Sequence, residues 1–200
     1  MTVSPGTTAS VLRDLIQEYR GRDVSVQAIA DKLKDRSFGI LMILFALPNA
    51  VIPGISFVLG APVLIAGLQL AVGRTSIWLP SIMLRQVIPA DLFQNIAGRV
   101  ERFMSWVERR TSKRWTWMTS GVSERLLGLY IAIVAAFLML PIPFGNLLPA
   151  FGISLMAVGL NEEDGLAALI GAVLGTLGIA YIVAVFVVGL TAIKALIGFM

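Results

Sequence analysis

Apolar residues gather along this chain into three runs that contain no charged side chain: Phe38 to Gly73, Leu126 to Asn161 and Gly165 to Ile193. A hydrocarbon slab of ~30 Å takes ~20 helical residues at ~1.5 Å each. The third run, built almost entirely from Leu, Ile, Val, Ala and Gly, therefore predicts one tilted membrane-spanning helix. Within it Gly171, Gly175 and Gly178 recur at helical spacing. They fit a close-packing face, and equally the general tolerance of glycine in membrane helices.

The first two runs are too long for one span and too interrupted for two straight ones. Each breaks near its middle, at Leu47-Pro48-Asn49-Ala50-Val51-Ile52-Pro53-Gly54-Ile55-Ser56 and at Leu140-Pro141-Ile142-Pro143-Phe144-Gly145-Asn146-Leu147-Leu148-Pro149. Proline lacks an amide donor, clashes with the preceding turn and disfavours helix in the residue before it. Each run thus predicts two arms around a non-helical bend. The arm from Phe38 to Leu47 reaches only ~15 Å at the helical rise, about half the slab, unless its helix begins earlier. Two readings fit: re-entrant or broken helices with the bend at membrane depth, or ordinary hairpins turning outside the lipid. The bends contain Asn and Ser but no charge, which favours the first.

The two runs also match each other. Arg36-Ser37-Phe38-Gly39 opens one and Arg125-Leu126-Leu127-Gly128 the other; Ile-Pro follows at 52–53 and 142–143, and Ala66-Gly67-Leu68 and Val158-Gly159-Leu160 come near the ends. This predicts an internal duplication, parallel or inverted. Paired Gly/Pro-interrupted segments point to a transporter-type site, where unpaired backbone is tolerated only inside protein or beside a watery cavity.

Between the runs the period changes. Val11, Leu12, Leu15, Ile16 and Tyr19 recur every three or four residues among Arg13, Asp14, Glu18 and Arg20, an amphipathic helix. A second is expected over Ser25 to Lys34 with Ser25 as its N-cap. In the middle block Ile96, Val100, Phe103 and Val107 share a face, and Trp106, Trp115 and Trp117 lie near Arg109, Arg110, Lys113 and Arg114. Such a helix suits the headgroup layer or packs over the bundle. The expected organisation is all-α and polytopic: amphipathic helices in 1–37, membrane repeats in 38–73 and 126–161, a basic connector in 74–125 and a terminal span in 165–193.

Composition removes most chemistry. The chain has 200 residues, 57% apolar and 14% charged, with no histidine and no cysteine. Its mean hydropathy of +0.85 is far from that of a water-soluble globule. Imidazole catalysis, thiolate nucleophiles, disulfides and zinc sites of the usual kind are excluded. No cofactor and no metal is expected. The net charge of +4 comes from the connector, which holds nine basic against four acidic residues. Basic surplus beside apolar spans reads as positive-inside topology, not nucleic-acid binding. If 74–125 is cytoplasmic, residues 1–37 are too. Should 126–160 cross an odd number of times, Glu162-Glu163-Asp164 would lie outside and Lys194 inside. Residues 1–36 have no continuous apolar core, so no cleaved secretory signal is expected.

The quoted elements, together with Gly60-Ala61-Pro62, Gln69, Gly73-Arg74, Trp78-Leu79-Pro80 and Asp164-Gly165, closely resemble the exopolysaccharide synthesis ExoD family over about residues 10 to 190. The resemblance implies a bacterial inner-membrane protein linked to exopolysaccharide production or export, with no assigned biochemical activity. Two departures stand out. Where family members often carry Arg-Pro-Arg this chain reads Glu108-Arg109-Arg110-Thr111, and where Arg-Asp-Gly is common it has Glu163-Asp164-Gly165, a reversed charge.

Two functions compete. One is a small transporter or translocase of an anionic or polyprenyl-phosphate-linked substrate, with helix N-termini after the bends, around Gly54 and Gly145, facing the anion. Arg36, Arg74 and Arg125 could collect its phosphate, since the guanidinium fork matches phosphate oxygens; as residues at the run edges they equally set topology. Asn49, Ser56, Gln69, Asn146 and Ser154 are the polar candidates inside the runs. The other is a non-transporting accessory subunit of a polysaccharide-synthesis assembly, docked through the basic helix. Catalysis is not expected: Glu162, Glu163 and Asp164 read as a solvated turn. Membrane lipids are the expected surroundings, and small size with the glycines of the last run predicts a homodimer.

Overall fold

A computed structural model of the chain describes residues 8–33, 38–50, 56–140, 142 and 145–198. Their regular structure is helical apart from one two-residue strand pair. The elements are α1 (Thr8–Glu18), β1 (Val24–Ser25), α2 (Val26–Leu33), α3 (Phe38–Asn49), α4 (Ser56–Ala71), α5 (Ser81–Leu84), β2 (Val87–Ile88), α6 (Ala90–Glu108), α7 (Gly121–Leu138), α8 (Leu147–Glu162) and α9 (Gly165–Gly198). Pro48 is accommodated in the last turn of α3, which ends at Asn49; α4 starts at Ser56, α7 ends at Leu138 and α8 starts at Leu147.

The two hairpins stand side by side with both bends at one end. α4 packs along α7 and α3 along α8, so exchanging the hairpins exchanges the two contacts. Small residues allow these approaches. A Cβ on Gly67 would lie 2.8 Å from the Ala132 amide and 2.9 Å from the Gly128 carbonyl, and one on Gly128 would lie 2.8 Å from the Ala71 amide. Gly39 is pressed in the same way against Ala157 and Asn161 of α8. Gly159, matched with Gly67 in the sequence, instead faces Ala168 of α9.

α9 lies on α8. Gly171 meets Gly152 and Met156, and Gly178 meets Pro149. The glycines of the last run are thus a packing face used within the chain, and their availability for a homodimer is removed. Tyr130 ties α7 to α9 by hydrogen bonds to Thr176 Oγ1 (2.7 Å) and the Ala172 carbonyl (3.1 Å). With 34 residues, ~51 Å, α9 is twice as long as α8 and projects past the bends. Its projecting part exposes Val183, Phe186, Val187 and Val188 on several sides.

Hairpin one carries a polar coat. The stripe Phe93, Ala97, Val100, Met104 and Val107 of α6 is buried, and α1 packs on α6. Arg13 Nε bonds Glu101 Oε1 at 2.7 Å and Gln94 holds the Ile16 carbonyl at 3.0 Å. Ser25 caps α2, accepting from the Ala28 amide at 3.1 Å. α3 is consequently enclosed: Phe38 to Ala46 are all buried, so this arm touches no lipid. α6 packs over the bundle at the bend end of α3, where Phe103 meets Phe151 edge-on with ring centroids 5.9 Å apart.

α7 and the stretch Gly165–Gly189 of α9 are long and apolar enough to cross a membrane, with 33% and 22% of their apolar windows buried. Core helices of a soluble globule would be mostly enclosed.

Replacing Gly67 by Leu should cost about 1–3 kcal/mol, because two helix backbones must separate. Gly98→Ala on α6 meets nothing within 4 Å and should stabilise by up to ~1 kcal/mol through helix propensity. Unfolding in detergent followed by circular dichroism checks both.

Candidate functional site

The bends bring three buried polar side chains together. Asn146 Nδ2 donates to Ser56 Oγ at 2.6 Å and to Asn49 Oδ1 at 3.2 Å, and Asn49 Nδ2 donates to the Ser56 carbonyl at 3.2 Å. Relative exposures are 2%, 3% and 8% for Asn49, Ser56 and Asn146. The cluster joins residues about ninety positions apart, and it links the last residue of α3 to the first turns of α4 and α8. Asn146 precedes α8 without capping it through its side chain, which turns to the other hairpin instead. Asn146 Oδ1 is buried with no hydrogen-bond partner among the described residues. An unmet acceptor of this kind costs about 1–3 kcal/mol and invites a donor. Gly145 stands beside it in a tight turn, its amide donating to the Ile142 carbonyl at 3.0 Å.

The remaining sequence candidates do not join this cluster. Gln69 grips the backbone of Trp78 at both ends, Nε2 donating to the carbonyl at 2.6 Å and Oε1 accepting from the amide at 2.7 Å. It lies 13 residues along α4 from Ser56, ~20 Å away. Ser154 bonds its own helix at the Ala150 carbonyl, 2.7 Å. Arg74 is exposed at the far end of α4, where Arg125 lies against Gly73, whose φ is +77°. These two arginines thus flank the end opposite the bends, because α4 and α7 run the full distance between, and they cannot meet an anion held at Asn146. Arg36 and Gly54 lie outside the described residues.

A second polar centre closes the opposite end, and the reading of residues 162–164 as a solvated turn is corrected there for Asp164, while Glu163 is exposed. Asp164 is fully buried. Its Oδ1 accepts from Arg114 Nε at 2.9 Å and from the Leu166 and Ala167 amides at 3.0 and 3.1 Å, and its Oδ2 from the Ser112 amide at 3.1 Å. The side chain caps α9. Burial alone would raise the Asp164 pKa, but the Arg114 hydrogen bond and the Ser112 and Ala167 amides outweigh it and hold the carboxyl below its ordinary value. Glu163, the reversed charge, pairs with Lys113 at 3.1 Å. An aspartate directly before an apolar helix is an N-cap signature, and that signal could have found it. The contact also places residues 162–164 at the same end as the connector. α7 and α8 run up and back, so α9 carries Lys194 to the opposite end.

The family model described as "Exopolysaccharide synthesis, ExoD" matches residues 8–184. The chain belongs to the ExoD family. An uncharacterized protein of Synechocystis sp. is 31% identical over 188 residues, covering 90% of this chain and 89% of that one. Protein ExoD of Rhizobium meliloti is 28% identical over 170 residues, 82% of this chain and 70% of that one. No solved structure matches. The ExoD match takes in both bends, α6 and the Arg114–Asp164 contact.

Because the folded-state pKa of Asp164 is lowered, its stabilisation is present above the unfolded value of ~3.9 and is lost as pH falls through the folded one. Thermal melts should therefore be flat between about pH 5 and 8 with respect to this group and fall below about pH 4. Asp164→Asn should lower the midpoint by about 3–6 °C at neutral pH, a modest amount because Arg114 stays half-exposed, and should flatten the acid limb.

Proposed function

We propose that this ExoD-family chain is an integral protein of the bacterial cytoplasmic membrane that serves exopolysaccharide synthesis by moving an anionic or lipid-linked saccharide precursor past the junction of its two bent hairpins. The observation that carries this reading is the Asn49–Ser56–Asn146 cluster with its open acceptor. The N-termini of α4 and α8 converge there, and each carries partial positive charge suited to an anion. The carboxamide oxygen would take a donor such as a sugar hydroxyl.

α9 serves as a ruler for depth. Gly178 sits against Pro149 at the start of α8, 13 residues from Gly165, or ~20 Å along the helix. If the connector end marks one edge of a ~30 Å slab, both bends stop inside it as re-entrant loops, and α9 alone continues through. The exchange of α3–α8 for α4–α7, with Gly39 and Gly128 at matching places, supports a parallel internal duplication. The flank over α3 is coated by α1 and α6 with charges outward, so water or a polar partner faces it, not lipid. A homodimer would form on a surface other than the Gly171–Gly178 face.

A second reading, an accessory subunit, draws on the tryptophans beside the basic end of α6. Trp106, Trp115 and Trp117 are exposed, and Arg110 stacks over Trp106 at 4.2 Å. Such aromatic and arginine groups are common anchors for partners.

The chain lacks cysteine, so single substitutions report depth cleanly. In native membranes Leu140→Cys and Leu147→Cys should resist a charged maleimide that labels Thr75→Cys; equal labelling would place the bends in water and remove the re-entrant reading. In liposomes the wild type should move a fluorescent polyprenyl-phosphate-linked saccharide, and Asn146→Ala should slow it at least about tenfold, the factor for ~1.4 kcal/mol. No flux from wild type, with assembly proteins co-purifying, would favour the accessory reading.

A further inference from the structure

The bend end of α3 borders a second feature. A cavity of about 560 Å³ opens between α6, the end of α3 and the first turn of α8. This is within the ~300–1,000 Å³ usual for small-molecule sites. Its walls are apolar, from Leu47, Pro48, Ile96, Phe103 and Phe151 among others, and among the described residues Arg99 supplies its single charged group, with the Asn95 carboxamide one helical turn away on α6. Both polar residues are exposed. No described carboxylate bonds Arg99, whereas Arg13 is paired with Glu101 and Arg102 turns back to the Gly98 carbonyl at 3.2 Å.

We propose that this cavity binds a phospholipid-type anionic amphiphile, with the phosphate held by Arg99 and Asn95 and the hydrocarbon laid over the Leu47, Ile96, Phe103 and Phe151 wall. The chemistry is that of an amphiphile because neither half of the lining is explained alone. A free anion would leave the apolar wall wet, and a neutral hydrocarbon would make no use of the guanidinium at its edge. Arg99 matches phosphate with its planar fork. This site deepens the translocase reading by naming where its lipid-linked substrate would dwell. It rests on the membrane reading for the supply of lipid but not on flux.

Native mass spectrometry of the purified protein in detergent, titrated with dioleoyl phosphatidic acid or dioleoyl phosphatidylcholine, tests it without transport. The wild type should retain one phosphatidic acid in preference to phosphatidylcholine. Arg99→Gln should weaken that retention about five- to tenfold, the scale of one charge-assisted contact, and Arg102→Gln, on the same helix and turned away from the cavity, should leave it unchanged. Phe103→Ala should weaken both lipids together. Equal retention by wild type and Arg99→Gln, equal retention of the two lipids by wild type, or displacement by millimolar inorganic phosphate would each overturn the proposal. A protein that binds in this way yet shows no flux keeps the lipid site and loses the translocase.

Discussion

A helix broken inside an apolar bundle leaves main-chain donors and acceptors that water cannot reach, and each must find a partner in the protein. The two hairpins answer this with one another. Asn49 takes up the Ser56 carbonyl where the first chain turns, and Asn146 reaches across from the second to Ser56 and Asn49. The junction sets both bends at one height, and that height decides the rest. With the tips level, α3 runs along α8 and α4 along α7 in register, and Gly39, Gly67 and Gly128 fall where the backbones approach most closely. Small residues at these crossings replace the hydrophobic drive that is missing between helices in lipid.

The opposite end is closed by different chemistry. Asp164 ends the second hairpin, begins α9 and gathers the connector through Arg114 and the Ser112 amide. A buried charge is tolerable only with its bonds filled, and here the amides and the guanidinium supply them. The molecule is thus tied at its two ends by polar contacts and along its length by close apolar seams. Its flanks differ as well: α7 and α9 present apolar surface, while α1 and α6 coat the side over α3 with charge.

Much of this was legible in the residue pattern. Charge-free runs become α3, α4, α7, α8 and α9, with α3 ending before Pro53 and α7 before Pro141, and Ser25 caps α2 as its position before an apolar-periodic segment implies. The rarity of polar groups within those runs singled out Asn49, Ser56 and Asn146 as well. Gln69 carried the same signal yet serves the Trp78 backbone, because a lone amide in an apolar run has only local geometry to tell a scaffold role from a site role. Arg74 and Arg125 sit at run edges in the sequence and at the far end of the bundle in space. Charge pattern alone could not say which helix ends face one another. The position of α6 over the α3 bend was equally hidden, since an amphipathic stripe fits a lipid surface and a helix bundle alike.

What the sequence by itself determined is therefore the inventory: which stretches must be helical, where proline must break them, and which chemistries are absent for want of histidine and cysteine. Those are local consequences of backbone sterics and side-chain type. Only the tertiary structure decided the pairings: Asn146 with Asn49 and Ser56, Asp164 with Arg114, the glycines of α9 with α8 instead of a second copy, and Arg99 with an apolar hollow. Such contacts join residues from 15 to 97 positions apart, and their energy depends on the distance and desolvation that packing creates. No one-dimensional period encodes either quantity.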